Sequence, residues 1–210
     1  MAEDFWRFER EALDAGHTLV CGCDEAGAGP LAGPVYAAAV ILPLDLELPY
    51  LNDSKQVTPR RRDALFDAIR EQAVAWSVAS VSEQEIDELD ILNARIRAME
   101  LAIEGLEPPA DFALVDGNRD HGSRCAIAAP HRLIVKGDSR SASIAAASIL
   151  AKVSRDRYME ELDRQYPQYG FAQHKGYGTR FHYQMLDTYG PSPAHRRSFL
   201  KKWEARRGQP

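Results

Sequence analysis

The sequence predicts an α/β domain: a mixed β-sheet flanked by helices, with a small helical C-terminal extension. Three observations predict it. The β-prone stretches at 18–23, 35–42 and 73–81 come early, with only one helix among them. Two further strands, at 112–115 and 132–135, then alternate with helical segments. A long helix over 141–165 opens on small apolar residues, as expected of a helix that lies close against a sheet. This order does not fit a purely parallel doubly wound fold.

Each element has its own signal. Residues 4–15 read as an N-terminal helix. The strand at 18–23 is stopped by the glycines of residues 26–29, and the strand at 35–42 lies between Pro34 and Pro43. A turn-rich loop with Asn52, Asp53 and Ser54 follows. Thr58 caps a helix with Pro59 at its first position, running to about Gln72. After the third strand, Ser82 and Glu85 carry the pattern of a capping box. Leu92, Ile96, Met99 and Ile103 recur at helical spacing and give a helix over 91–106, ended by Pro108 and Pro109. The two later strands deliver Asp116 and Asp138 at or near their ends, and Ser141 opens the long helix with Ile144, Ala145, Ala146, Ala147, Ile149 and Leu150. Residues 166–178 are loop-rich, and two shorter helices are expected near 180–189 and 194–205.

The chain has 210 residues, enough for one well-buried domain, and its 45% hydrophobic and 27% charged residues are ordinary for a globular protein. Its longest apolar run, 35–44, is broken by Pro43 and is too short to span a membrane. Residues 1–10 are charged and lack the apolar core of a signal peptide, so a cytoplasmic protein is expected. Cys21, Cys23 and Cys125 have neither disulfide-framework nor zinc spacing and read as buried thiols in a reducing compartment. The net charge of −5 is unevenly placed. Residues 171–210 hold eight basic residues against Asp187 and Glu204, a local +6 that leaves −11 for the rest. Such an asymmetry suits a protein that holds cations in one place and phosphates in another.

Acids stand at strand ends in three places: Asp24 with Glu25, Asp116, and Asp138. Ends of neighbouring strands converge, so these can share one site. Adjacent residues on a strand point to opposite faces, so Asp24 and Glu25 share it only if the strand breaks there, and the run from Ala26 to Pro30 is read as that break. Clustered carboxylates become protonated or recruit cations, and oxygen ligands without His or Cys favour Mg²⁺ or Mn²⁺. The plainer reading makes each acid a turn former or a helix cap. Asp138, just ahead of the helix from Ser141, fits a cap well.

Seven motifs narrow this: DEAGAGPLAGP at 24–34, LNDSK at 51–55, VDGN at 115–118, VKGDS at 135–139, SIAAASILAKVSRDR at 143–157, YGFAQHKGYGT at 169–179 and GPSPAHRRSF at 190–199. Together, in this order, they resemble ribonuclease HII from about His17 to Phe199. The resemblance implies a ribonuclease H-like catalytic core over 1–168 and a basic helical substrate-binding extension over 169–210, forming one structural unit. It implies an endonuclease that hydrolyses the RNA strand of RNA–DNA hybrids and cuts 5′ of ribonucleotides embedded in duplex DNA, as in ribonucleotide excision repair. Two ions, Mn²⁺ or Mg²⁺, would serve catalysis and leave 5′-phosphate and 3′-hydroxyl ends. The family's four acids fall on Asp24, Glu25, Asp116 and Asp138, with Asp24 bridging both metals. Lys55 would contact a phosphate, Tyr177 would stack on a deoxyribose at the junction, and Arg196 with Arg197 would support the substrate-binding end. A monomer is expected, and residues 206–210 carry no apolar peptide of the kind that joins some members to a sliding clamp.

One departure stands out. The family reads the ribose 2′-hydroxyl with a Gly-Arg-Gly or Gly-Lys-Gly turn; here the residues are Gly27, Ala28 and Gly29. The backbone can still approach a ribose, but the basic side chain is gone. An active enzyme with weaker junction recognition is expected. The alternatives are a catalytically impaired hybrid-binding protein, which would show no metal-dependent cleavage, and a phosphatase of small molecules, which would not need a basic C-terminal surface. His174 and His195 are read as structural or phosphate contacts, since a metal-lowered water needs no protein base, and His121 has no assigned role.

Overall fold

The computed structural model describes residues 4–51 and 57–207. Strands β1 (Val20–Ala26), β2 (Val35–Ile41), β3 (Ala75–Val81), β4 (Phe112–Asp116) and β5 (His131–Ile134) form one sheet in the order β3-β2-β1-β4-β5. The β1–β2 and β2–β3 pairs are antiparallel; β1–β4 and β4–β5 are parallel. The sheet is therefore mixed, as the strand order predicts.

The helices are α1 (Arg7–Asp14), α2 (Pro59–Gln72), α3 (Glu83–Leu89), α4 (Ile91–Glu104), α5 (Ala142–Gln165), α6 (Phe171–His174), α7 (Arg180–Tyr189) and α8 (Arg197–Arg207). Their starts follow the side chains that satisfy free N–H groups. Thr58 accepts from Arg61 N at 3.4 Å. Ser82 and Glu85 close a full capping box, with Ser82 N donating to the Glu85 carboxylate at 2.9 Å. Asp90 separates α3 from α4 in a left-handed conformation (φ 73°) and accepts from Asn93 N at 3.0 Å. The expected loop over 166–178 includes a short turn of helix, α6, and the last helix begins at Arg197 instead of near Ala194. It starts late because the backbone ahead of it is used in pairing: Ala32 bridges His195, and Arg196 N donates to Leu31 O at 2.9 Å.

The two faces of the sheet carry different helices. One core layer joins Cys21, Cys23, Val35, Ala37 and Ala39 to Ile96, Met99 and Ile103 of α4. The other joins Ala38 and Val40 to Leu65, Phe66 and Ile69 of α2 and to Ala146, Ala147 and Leu150 of α5. Over Gly22 the contact with α5 is backbone to backbone. A Cβ there would lie 2.1 Å from the Ser143 carbonyl carbon and 2.2 Å from Ile144 N. The small residues of α5 and the missing side chain at Gly22 together bring the helix down onto β1. The N-terminus of α5 is held by Glu9 of α1, which accepts from Ser141 Oγ at 2.6 Å and Ser143 N at 2.9 Å.

The C-terminal helices have their own core of Phe171, Leu186, Leu200 and Trp203, closed by Leu31 and Ala32 after β1 and by Met159 and Leu162 of α5. All three cysteines are free thiols, Cys21 and Cys23 buried and Cys125 only partly so; burial pushes Cys21 up to about 12 and raises Cys23 well above the ordinary thiol range. Among the described residues, no helix is long and apolar enough to cross a membrane.

Gly22→Ala is expected to lower the urea midpoint at unchanged slope, by about 1–3 kcal/mol or more, since backbone has to give way. An unchanged midpoint would mean that α5 does not rest on β1 as closely as described.

Candidate active site

The strand does not break at Asp24, contrary to the expectation from the glycine run. β1 continues through Asp24, Glu25 and Ala26 because β2 remains paired to all three. It is the other neighbour that stops: the last β1–β4 pair is Cys23 with Val115. Beyond that point β1 has an open side, and side chains from both faces of the sheet reach one cleft. Alternation along β1 directs Cys23 and Glu25 towards α4, where Cys23 Sγ lies 3.8 Å from Met99 O and Glu25 Oε1 lies 2.6 Å from Arg95. Gly22 and Asp24 lie on the α5 side. The cleft holds about 410 Å³ and is lined by Asp24, Glu25 and Asp116, by residues 26–29, by Ser148, Lys152 and Arg155 of α5, and by Tyr177.

Asp24 is buried. Burial pushes its carboxyl well above the usual carboxylate range, and the charges of Glu25, Asp116 and Asp138 push the same way, against one hydrogen bond from Glu25 N at 2.7 Å. Burial also raises Glu25, against the opposing pull of Arg95. The second oxygen of Glu25, Oε2, is buried without a hydrogen-bond partner among the described residues. Asp116 ends β4 and accepts from Gly137 N at 2.6 Å. Asp138 is buried in the turn Gly137–Ser139, which follows left-handed Lys136 (φ 56°). The cap of α5 is Ser141, which accepts from Ile144 N at 3.2 Å, so Asp138 is not placed there as a cap.

Among the described residues, the His, Cys, Asp and Glu side chains do not close into a ready-made cage of three metal ligands. The donor set fits a hard divalent cation all the same. It is all oxygen, it is crowded with like charge, and one of its buried oxygens lacks a partner.

Beside the acids, the turn of Gly27, Ala28 and Gly29 is held from behind by Arg196, while Arg155 packs against Gly27 and ties together the backbone around it. Arg196 donates to Gly33 O at 2.8 Å, Ala28 O at 3.0 Å and Gly27 O at 2.7 Å. Arg155 donates to Pro34 O, Lys175 O and Ala32 O at 3.0–3.2 Å. Both are buried, and burial lowers both guanidinium groups, Arg196 to about 9, which leaves it charged at neutral pH. Gly27 needs to be glycine, with φ at 96° and an added Cβ 2.0 Å from Arg155 Nε. Arg196 is therefore not a surface contact. It is fully enclosed and holds the carbonyls of the turn, whereas Arg197 is exposed and its backbone N–H meets Asp87 at 2.7 Å. Tyr177 is 48% exposed, and a Cβ on Gly29 would lie 3.6 Å from its ring. Lys55 lies outside the described residues.

Sequence reasoning passed over Arg95, Ser148, Lys152 and Arg155. Three of them have a visible signal: Ser148, Lys152 and Arg155 recur at helical spacing along one face of α5. Lys152 pairs with Asp156 at 2.6 Å, and burial lowers its ammonium.

The family model for Ribonuclease HII matches residues 21–202. The chain belongs to the ribonuclease HII family. It is 53% identical to ribonuclease HII of Geobacillus kaustophilus over 197 residues, covering 94% of this chain and 74% of the relative. It is 50% identical to ribonuclease HII of Clostridioides difficile, covering 92% and 74%. Its fold is similar to that of ribonuclease H2 from Pyrococcus horikoshii (TM-score 0.75, 27% identity, 91% of this chain and 100% of that one). It is also similar to the structure of the PCNA:RNase HII complex from Archaeoglobus fulgidus (TM-score 0.67, 25% identity, 89% and 94%). The protein is thus a ribonuclease H enzyme with the ribonuclease H-like fold that its sequence predicts.

A group whose carboxyl is raised in the folded state favours the fold only when protonated. In the metal-free ribonuclease, the charge of Asp24 therefore costs stability above the unfolded carboxyl pKa. Asp24→Asn is expected to raise the metal-free melting temperature at pH 7, by about 0.5–2 kcal/mol at roughly 2–4 °C per kcal/mol, while cleavage falls about a hundredfold or more. A lower melting temperature would show that the carboxylate is welcome where it sits.

Proposed function

We propose that this ribonuclease hydrolyses RNA paired with DNA and cuts 5′ of single ribonucleotides embedded in duplex DNA, leaving 5′-phosphate and 3′-hydroxyl ends. The observation that carries the reading is the joining of Asp24, Glu25 and Asp116 in one cleft with the turn of Gly27, Ala28 and Gly29. Asp24, Glu25, Asp116 and Asp138 would hold two divalent ions, Mg²⁺ or Mn²⁺. A structural neighbour at 18% identity, Bst-RNase HIII, was solved in complex with Mn²⁺. When bound, the ions supply Lewis acidity for activating a water and stabilising the leaving oxygen.

The chain's own groups do the rest. Residues 27–29 present backbone polar groups to the 2′-hydroxyl, which both donates and accepts. Tyr177 stacks on the sugar at the DNA side of the junction. Lys55, Lys152 and the C-terminal extension over 169–210, with Arg197 exposed, supply positive charge for the backbone phosphates. Arg196 holds the carbonyls of Gly27 and Ala28, and with Arg155, which packs against Gly27, it places cationic charge directly behind the turn. This supports an active enzyme over the impaired binder, because part of the charge missing at Ala28 is present beneath the turn.

The test is cleavage of a labelled duplex carrying one ribonucleotide, against an all-RNA–DNA hybrid, with and without Mg²⁺ or Mn²⁺. Metal-dependent cutting on the 5′ side of the lone ribonucleotide is expected, and Ala28→Arg is expected to improve kcat/KM on it by about ten- to a hundredfold. Cutting of the hybrid alone would assign junction selectivity to the missing side chain, and no cutting of either would favour the impaired binder. An Ala28→Arg variant with unchanged rate and cleavage position refutes the role given to that position.

A further inference from the structure

Beneath Tyr177 lies a chain of polar contacts that the reaction as described does not use. His182 and His195 are both buried, His182 fully so, and their Nε2 atoms are 3.0 Å apart. His195 Nδ1 faces Ser192 N at 3.0 Å and Ser192 Oγ at 2.9 Å. His182 Nδ1 faces Tyr177 O at 2.9 Å.

The two ends of this chain fix its direction. A backbone N–H only donates, so His195 Nδ1 accepts from Ser192 and the proton of the neutral ring sits on Nε2. That proton is donated to His182 Nε2, so the proton of His182 sits on Nδ1. A carbonyl only accepts, and the line ends with His182 Nδ1–H donating to Tyr177 O. Only one arrangement of protons satisfies every contact with both rings neutral. A proton added to either ring would set two N–H groups against each other. The site opposes that charge, with burial pushing His182 down to about 4 and His195 to about 3.

The neighbours lock the rings in place. His174 stacks on His182 with centroids 4.5 Å apart and is itself held by Tyr169 O at 2.8 Å and by Gly176 N at 3.2 Å. Phe171 packs edge-on to His182 at 5.6 Å. On the cleft side, Tyr177 N donates to His174 O at 2.9 Å and Thr179 N donates to Tyr177 O at 2.8 Å. The backbone of Tyr177 is thus anchored at its N–H and twice at its carbonyl, while its ring stays half-exposed.

We propose that His195 and His182 form a one-directional hydrogen-bond relay that sets the backbone of Tyr177, making them positioning residues for the aromatic ring that meets the substrate sugar. This rests on the stacking role given to Tyr177. Hydrogen bonding to a neutral ring with fixed direction gives the turn a single conformation, so the ring pays less ordering entropy when substrate arrives.

The first test is made on the native enzyme. Nitrogen NMR of ¹⁵N-labelled imidazoles at pH 7.5 is expected to show His195 as the Nε2–H tautomer and His182 as the Nδ1–H tautomer; the reverse pair, or exchange between tautomers, overturns the relay. The second test is kinetic. His182→Phe, which fills the space without a donor, is expected to raise KM for a DNA duplex carrying one embedded ribonucleotide about tenfold with little change in kcat. His182→Asn, which keeps a donor near the position of Nδ1, is expected to recover most of that loss. In a Tyr177→Ala background, His182→Phe is expected to add nothing further. A folded His182→Phe enzyme with unchanged KM, or a penalty that persists in full without Tyr177, overturns the proposal. If Tyr177→Ala alone leaves KM unchanged, the stacking role of Tyr177 falls, and the positioning role falls with it whatever the tautomers show.

Discussion

Asp24, Glu25, Asp116 and Asp138 are crowded at the end of the sheet, where like charge and burial raise the Asp24 carboxyl and burial raises that of Glu25. Charges about 4 Å apart repel by roughly 4 kcal/mol at an effective dielectric near 20, a large sum against a net stability of about 5–15 kcal/mol. Much of the surrounding structure can be understood as what this arrangement requires. β2 stays paired past the end of β4 and carries Asp24 and Glu25 into the open. Arg95 takes one oxygen of Glu25, and Gly137 N takes one oxygen of Asp116. Gly22 brings α5 down to close one side of the cleft. What is left unsatisfied, above all Glu25 Oε2, is what a cation would satisfy.

The other side of the cleft is built on the opposite sign. Arg155 and Arg196 have no close carboxylate partner among the contacts described, and they spend their donors on six main-chain carbonyls between Gly27 and Lys175. Glu83 is buried nearby and its charge bears on both, yet burial raises its own carboxyl. A glycine-containing turn would otherwise be soft. Arg196 fixes the carbonyls of Gly27 and Ala28 from below, and Tyr177 lines the same cleft beside Gly29. The acids and the turn thus form two halves of one cleft, one crowded with carboxylates and one backed by buried cations.

The sequence made much of this legible. Strand order, the caps at Thr58 and Ser82, the small-residue face of α5 and the family motifs all correspond to observed features, because each depends on local chemistry or on an extended pattern. The misreadings share a cause. A glycine run was taken to end β1, but a strand ends where its partners end, and pairing between distant segments cannot be seen locally. The enclosure of Arg196 is hidden for the same reason, since the bridge between Ala32 and His195 draws it inward. Arg95 is separated from Glu25 by 70 positions, so nothing in the sequence announces their ion pair. His182 and His195 were similarly invisible as a unit, since the link between them is made by the packing of α7 against the segment ahead of α8.

If crowded, partly buried acids create a cation site, calorimetric titration of Mn²⁺ into the metal-free enzyme without nucleic acid gives saturable heat. That heat is expected with the native protein and is expected to vanish in a variant carrying both Asp24→Asn and Asp116→Asn, with the fold unchanged by circular dichroism. Equal binding by the variant, or no saturable binding by the native enzyme, would mean that these acids do not form a cation site.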